Sequence, residues 1–347
     1  MTNSRLQSPS LHADTKPGPS GDRYIVIVEG SSSTSAPYLT LSKALTRLGR
    51  AVRLVRVAEL PRREWLRVLR SAEAIVLVHY LSLDAHLLCQ LAAAVALDVP
   101  IVRWWVGTDV LNVISRDDVR RNAARFDRIV STNVAVAPHL VAELATVGID
   151  AQYVPSVLDP DLAEPERSVW DGVIRPVLTY LPSSRKEFYG FEVMERVIAA
   201  NPDLQFIITG DDSHSLAALS NVDSLGWVSD MSSVYPRAGC ILRITAHDGL
   251  PRMLIEGLLR GMYAIYSWPL EGCWEATTPE EIGAALVRYR AMTEPNDVGR
   301  TAMLEMLSSR PDHKMSAVIA DAAVPLATRG HALGLAVQAR LFAEQFR

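Results

Sequence analysis

The sequence predicts two doubly wound α/β domains in tandem, and three observations carry that expectation. Short β-branched runs alternate with longer helical stretches from Tyr24 onward, the pattern of parallel strands joined by crossover helices. A polar, proline-containing stretch, DPDLAEPERSVWDGVIRP at 159–176, interrupts the alternation, which then restarts. The 347 residues are enough for two domains of ordinary size, and 49% apolar with 21% charged residues is the balance of a globular chain.

The elements follow in order. Residues 1–22 are rich in Ser, Pro and polar types without an apolar core. A disordered leader is expected there, neither a secretory signal nor a strand. The first domain is expected over 23–160. Its strands are read at YIVIVEG (24–30), AVRLVRV (51–57), AEAIVLVHY (72–80), PIVRWWVGTDV (100–110), RIVSTN (128–133) and AQYVPSVL (151–158). A polar loop, SSSTSA, and a helix to about Arg50 follow the first strand, and amphipathic helices separate the later ones. Residues 161–176 are the expected linker. The second domain, expected over 177–330, carries strands at VLTYL (177–181), LQFIITG (204–210), VDSLGW (222–227), CILRIT (240–245) and YAIYSW (263–268). Residues 331–347 are expected to form a last apolar-periodic helix. Two such sheets leave a cleft where the carboxyl ends of their strands face each other, the edge at which open α/β sheets bind ligands.

Composition excludes several classes. A net charge of −4 gives no case for a nucleic-acid partner. No run of about 18 apolar residues is present to span a membrane. Cys89, Cys240 and Cys273 are widely spaced and suit neither a disulfide framework nor a metal site, so a reducing cytoplasm is the expected location. No nucleophile elbow or paired His/Cys set points to hydrolase or zinc chemistry. The D-x-D sequence at Asp159-Pro160-Asp161 lies in the linker, so no metal site is expected there.

The most informative segment is Ile241 to Met262, ILRITAHDGLPRMLIEGLLRGM. A strand runs into the turn His247-Asp248-Gly249-Leu250-Pro251, and a helix carrying Glu256 follows. Gly249 lets the backbone turn tightly and approach a ligand closely. Pro251 fits the first helical turn, whose free N–H groups and positive dipole favour a phosphate. Carboxylates at 248 and 256 accept hydrogen bonds from vicinal hydroxyls. An anion pole beside hydroxyl acceptors suits a nucleotide sugar.

At these residues the chain resembles the retaining glycosyltransferases of GT-B fold, family 4 type, whose acidic-x7-Glu motif is matched with Asp248 in place of the more usual Glu. The resemblance runs from about Tyr24 to the C-terminus. It includes WWVGTDV (104–110), STNVAVAPHLVAELATVGIDAQYVPSVLD (131–159), YLPSSRKEFYG (180–190), FIITGDD (206–212) and SLGWVSDMSSVYPRAG (224–239). It implies two Rossmann-like domains facing a central cleft, with the C-terminal helix at 331–347 crossing back to the first. The first domain would take the hydroxyl acceptor, and the second the nucleotide-sugar donor. It also implies that Asp248 contacts the donor sugar and Glu256 the ribose, with no metal or other cofactor. Retention without a carboxylate nucleophile would follow a front-face route, in which the leaving phosphate helps deprotonate the acceptor.

Other residues fit the same chemistry. Arg185 and Lys186, after the first strand of the second domain, can neutralise a departing pyrophosphate. Arg243, a charge within an apolar strand, needs a partner; it is a second phosphate ligand or the mate of a carboxylate such as Asp230. Trp227 and Val228 offer a face for the nucleobase, and Gly210 resembles the family's glycine near the phosphates. In the first domain, Gly30 lies in a loop that approaches the diphosphate or acceptor in the resembling family. His79, at a strand end, matches a histidine that contacts the donor sugar, and Asp109 ends the next strand. PRREWLRVLRS (61–71) sets Arg62, Arg63, Arg67 and Arg70 around Trp65, Leu66 and Leu69. Such a helix suits peripheral contact with an anionic membrane at its inner face, or simply a solvated outer face. Two rival functions share the architecture: a sugar-nucleotide epimerase and a non-catalytic scaffold.

Overall fold

In the computed structural model of the chain, the described residues are 23–29, 36–57, 60–78, 85–158, 167, 170–171, 173–182, 184–210 and 215–324. The first domain runs β1 (Tyr24–Glu29), α1 (Ala36–Arg47), β2 (Val52–Val55), α2 (Arg62–Arg70), β3 (Ala72–Val78) and α3 (Ala85–Ala96). It continues with β4 (Ile101–Trp105), α4 (Thr108–Ser115), α5 (Asp117–Asp127), β5 (Thr132–Ala135), α6 (Pro138–Thr146) and β6 (Gln152–Tyr153). The second runs β7 (Val177–Tyr180), α7 (Phe191–Ala199), β8 (Phe206–Thr209), β9 (Val222–Ser224), β10 (Cys240–Arg243) and α8 (Arg252–Leu259). Next come β11 (Tyr263–Tyr266), β12 (Trp274–Glu275), α9 (Pro279–Arg290) and α10 (Asp297–Ser308), and then α11 (Pro311–Asp321).

Each domain holds one six-stranded sheet, ordered β2-β1-β3-β4-β5-β6 and β12-β11-β10-β7-β8-β9. Every strand pair is parallel. Helices cover both faces, so each sheet separates two apolar layers. Central strands are therefore apolar nearly throughout: Ile25 to Val28 and Ala74 to Val78 are fully buried. In the second sheet the chain winds outward from β7 through β8 to β9, then returns to place β10 on the other side of β7. The reversal opens a crevice beyond the carboxyl ends of β7 and β10, the natural ligand position of a doubly wound sheet.

Three differences from the sequence reading have physical causes. The strand expected at 128–133 lies at Thr132–Ala135; Ile129 is instead fully buried in the turn that closes α5. β12 was not expected, because two residues after the Gly272 turn carry no period of their own. The third concerns the return to the first domain. Residues 331–347 lie outside the described residues, as do 1–22, but α11, inside the expected 177–330 domain, already packs on the first. Met315 and Ile319 are buried in the same core as Ile25 and Leu41, and Arg50 Nη1 donates to Ser316 Oγ at 3.1 Å. The Arg310 backbone, at φ 54°, turns the chain between α10 and α11. The described part of the linker docks on the second domain: Trp170 packs edge-on to Tyr263 and Tyr289, and the Tyr289 hydroxyl donates to Arg175 O.

On α2, the four arginines are exposed and Leu66 is 40% exposed. Trp65, expected among the outward residues, is 1% exposed and donates to Gln90 O at 2.9 Å. Its apolar bulk packs under the helix, so the outward face is basic with one leucine. Among the described residues no helix is long and apolar enough to cross a membrane.

Candidate functional site

The turn following β10 stands at the crevice of the second sheet. Arg243 ends the strand, and its Nε and Nη2 donate to Asp248 Oδ2 at 3.1 and 2.8 Å. The guanidinium also lies over the rings of Tyr180 and Tyr189, 5.6 and 5.0 Å from their centres. Burial opposes the Arg243 charge, but the facing Asp248 carboxylate outweighs it and the pKa rises. Arg243 is therefore the buried mate of Asp248. Asp230 does something else: its carboxylate caps a short helix, accepting from Ser232 N at 2.9 Å and Ser232 Oγ at 2.8 Å. Asp248 Oδ1 also accepts from Gly249 N at 3.0 Å, so the carboxylate is oriented from two sides.

This turn is also where the two domains meet. His139 and Glu143 lie one helical turn apart on α6, hence on one face. His139 Nε2 bonds the Asp248 carbonyl oxygen at 2.8 Å, and His247 Nε2 bonds Glu143 Oε2 at 2.8 Å. A carbonyl only accepts, so His139 carries its proton on Nε2. Trp268, just past β11, stacks on His139 with centroids 5.1 Å apart and meets His247 edge-on at 5.3 Å. A Cβ on Gly249 would overlap the Val106 carbonyl oxygen, and one on Gly107 would lie 2.9 Å from Gly249 N. The close approach read from Gly249 is thus made by the first domain's backbone. Leu250 packs against core residues of both domains. Thr245 Oγ1, His247 Nδ1, Tyr266 OH and Trp268 Nε1 are buried around the turn without a hydrogen-bond partner among the described residues.

Glu256 sits on the second turn of α8 with its side chain 8% exposed, against 19% for Asp248. Neither carboxylate stands in bulk solvent. The Tyr235 hydroxyl donates to Glu256 Oε2 at 2.7 Å, and Arg252 Nε bonds Oε1. Arg260 lies over the Tyr235 ring at 4.5 Å and donates to Glu256 O at 2.8 Å. A carboxylate has about four lone-pair positions, so these two donors leave capacity for a diol.

The remaining expected residues are dispersed. Arg185 and Lys186 are exposed and lean on neighbouring rings, over Phe188 at 4.0 Å and Phe191 at 4.7 Å. Gly210, at φ 113°, ends β8 against Tyr180 and Leu181; its N–H donates to Gly226 O at 2.7 Å. Trp227 is 75% exposed, and Val228 is partly buried against the second domain's core. Asp109, expected at the end of a strand, lies instead in the first turn of α4, because β4 stops at Trp105. It is buried and accepts from the N–H groups of Val106, Gly107 and Val110, so it shapes the loop that Gly249 touches. Gly30 and His79 lie outside the described residues. Sequence reasoning missed His139, Glu143, Tyr235, Tyr266 and Trp268. The four-residue spacing of His139 and Glu143 was the one visible signal. Among the described residues no group of three His, Cys, Asp or Glu is arranged to hold a metal.

No protein-family model matches this chain, and no curated protein does either. Solved structures do match. Anabaena HepE in complex with UDP-glucose superposes with a TM-score of 0.64 at 13% identity, covering 86% of this chain and 98% of that one. HepE with UDP and glucose gives 0.63 at 12%, covering 86% and 99%. A glycosyltransferase from Rickettsia africae ESF-5 gives 0.54 at 12%, covering 92% and 99%. The fold is GT-B. In this GT-B chain the turn carrying Asp248 closes on α6 of the opposite domain, and the candidate site lies at that junction.

Proposed function

We propose that the chain is a retaining glycosyltransferase of the family 4 type, moving a sugar from a nucleotide-sugar donor to a hydroxyl acceptor. One observation carries the reading: the Arg243-oriented Asp248 turn stands at the β7/β10 crevice, pressed between two doubly wound domains. The binding of UDP and UDP-glucose by HepE, named for that protein, supports a nucleotide sugar as the ligand class. Asp248 accepts a donor-sugar hydroxyl, and Glu256, held by Tyr235 and Arg252, accepts the ribose diol. Gly249 shapes the turn and Leu250 leads into α8, whose free N–H groups face the diphosphate, with Gly210 beside it. Arg185 and Lys186 are free to swing onto the departing phosphate, and they, not a metal, take up its charge. Arg243 acts through Asp248. Trp227 and Val228 flank the base. The departing phosphate takes the acceptor's proton on the same face, which preserves the anomeric configuration.

A melting screen against UDP-, GDP-, ADP- and TDP-sugars tests the reading, because a ligand at 100 times its Kd adds about 2.7 kcal/mol of stability. One family of nucleotides should raise the melting temperature. No response to any nucleoside diphosphate would leave a scaffold. Conversion of the donor sugar without an acceptor would mark an epimerase.

The acceptor is proposed to be brought by peripheral membrane contact at the cytoplasmic face. Residues 36–73 hold nine Lys and Arg against three Glu in a chain of net charge −4. The exposed leucines Leu39, Leu54 and Leu66 lie within that segment. Each basic residue near an anionic leaflet contributes roughly 1 kcal/mol. The full chain should sediment with phosphatidylglycerol-containing vesicles and stay in solution with phosphatidylcholine alone; equal behaviour would remove the membrane from the proposal.

A further inference from the structure

We infer that His139 and Glu143 of the first domain are positioning residues, which clasp the cleft shut through His247 and the Asp248 carbonyl and so set the Asp248 carboxylate for transfer. The inference rests on the glycosyltransferase reading for its purpose, but its geometry stands alone. The clasp is reciprocal. Each domain contributes one histidine, and the two bonds, both 2.8 Å, converge on consecutive residues, His247 and Asp248.

The base of the clasp is rigid. Pro138 starts α6, and Leu140 and Leu144 anchor the helix in the first core, so His139 and Glu143 are presented from a fixed face. The other side is equally constrained. Trp268 stacks on one imidazole and edges the other, and His247 is 2% exposed. Gly249 leaves no clearance against Val106, so the turn reaches α6 only when the domains are fully together.

The consequence concerns Asp248. Its carboxylate is held by Arg243 from the second domain and its carbonyl by His139 from the first. Both ends of the residue are fixed only in the closed molecule. An open cleft frees the carbonyl and with it the peptide that carries the side chain. Closure then both excludes water and finishes the orientation of the sugar-binding acid. The ribose contact at Glu256 on α8 and the cations of the β7 loop belong to the second domain alone and lie outside the clasped turn.

The test uses the full chain and compares His139→Phe, Glu143→Ala and Glu143→Gln with the wild type. Phe keeps a ring for Trp268 but no donor, and Gln keeps an acceptor for His247. Small-angle scattering without ligand reads closure, calorimetric titration with UDP reads the nucleotide site, and steady-state kinetics separate kcat from KM. His139→Phe and Glu143→Ala should expand the molecule and lower kcat by about 30- to 100-fold, the size expected for a misplacement near 1 Å. Affinity for UDP should stay within about threefold, and Glu143→Gln should recover most of the rate. Should a variant not fold, the remaining members of the set carry the same comparison. Unchanged scattering with unchanged kcat would overturn the clasp, as would a loss of UDP affinity in proportion to the loss of rate. A wild type that binds no nucleotide would instead sink the transferase reading and leave scattering to decide the clasp.

Discussion

The turn after β10 and the loop after β7 leave neighbouring strands at the same sheet edge, yet they hold their charges in opposite ways. Asp248 is bonded to Arg243, to Gly249 N–H and, through its carbonyl, to His139 of the other domain. Arg185 and Lys186 are exposed and rest on rings a few residues along their own chain. One region is oriented before any ligand arrives. The other keeps its cations available, held by contacts worth only about 0.5–1 kcal/mol at exposed sites. The proposed transfer would use both kinds of site: a sugar aimed at a preset acid, and a diphosphate gripped as its charge grows and then let go.

The largest effect should come from breaking the oriented side. Arg243→Met leaves the Asp248 carboxylate without its cation in a site where the Arg243 side chain is 11% exposed. Removing one partner of such a pair costs about 3–5 kcal/mol, so scanning calorimetry should show the second domain melting many degrees earlier. A drop of only a degree or two would mean that Asp248 is satisfied elsewhere. Gly249→Ala comes next. Its methyl group overlaps the Val106 carbonyl oxygen, which props the domains apart or forces the backbone aside, at about 1–3 kcal/mol. Turnover should fall while UDP still binds; full turnover would show that the two domains need not touch there. Tyr235→Phe removes a buried donor from Glu256 and should cost about 1–2 kcal/mol in urea unfolding. It should also weaken binding of UDP more than of uracil; equal weakening would place Glu256 away from the ribose. The smallest effect on stability belongs to the adaptable side. Arg185→Ala with Lys186→Ala should leave the unfolding free energy within about 0.5 kcal/mol. The same pair should weaken UDP more than uridine, and an unchanged ratio would take both cations off the phosphates.

Most of the fold was legible because buried parallel strands leave a local mark. Runs such as YIVIVE and AEAIVLV need no partner to be recognised. What failed was local information that tertiary packing overrides. Ile129 is β-branched yet fills a turn, because burial under α5 satisfies it as well as a strand would. The return to the first domain was placed beyond residue 330 because α11 reads as one more helix of the second. Its packing, with Met315 and Ile319 entering the first core, shows where it belongs.

The site divides along the same line. Asp248, Gly249 and Glu256 were legible because strand, turn and helix chemistry sit within one short segment. Arg243 was recognised as a charge in need of a mate, though the mate proved to be five residues away rather than at Asp230. The contacts between His139 and Asp248 and between Glu143 and His247 join residues more than one hundred positions apart. No period or spacing in a single sequence announces such a pairing.

The acidic pair on the β10 turn and α8 is proposed to hold a nucleotide sugar, and one titration tests that. Calorimetric binding of the UDP-sugar that stabilises the wild type should be compared with Glu256→Gln, which preserves the shape of the side chain facing Tyr235. Loss of a charge-assisted contact to the ribose diol predicts an affinity about 10- to 100-fold weaker, equivalent to 1.4–2.8 kcal/mol. An unchanged Kd in a folded variant would contradict the claim.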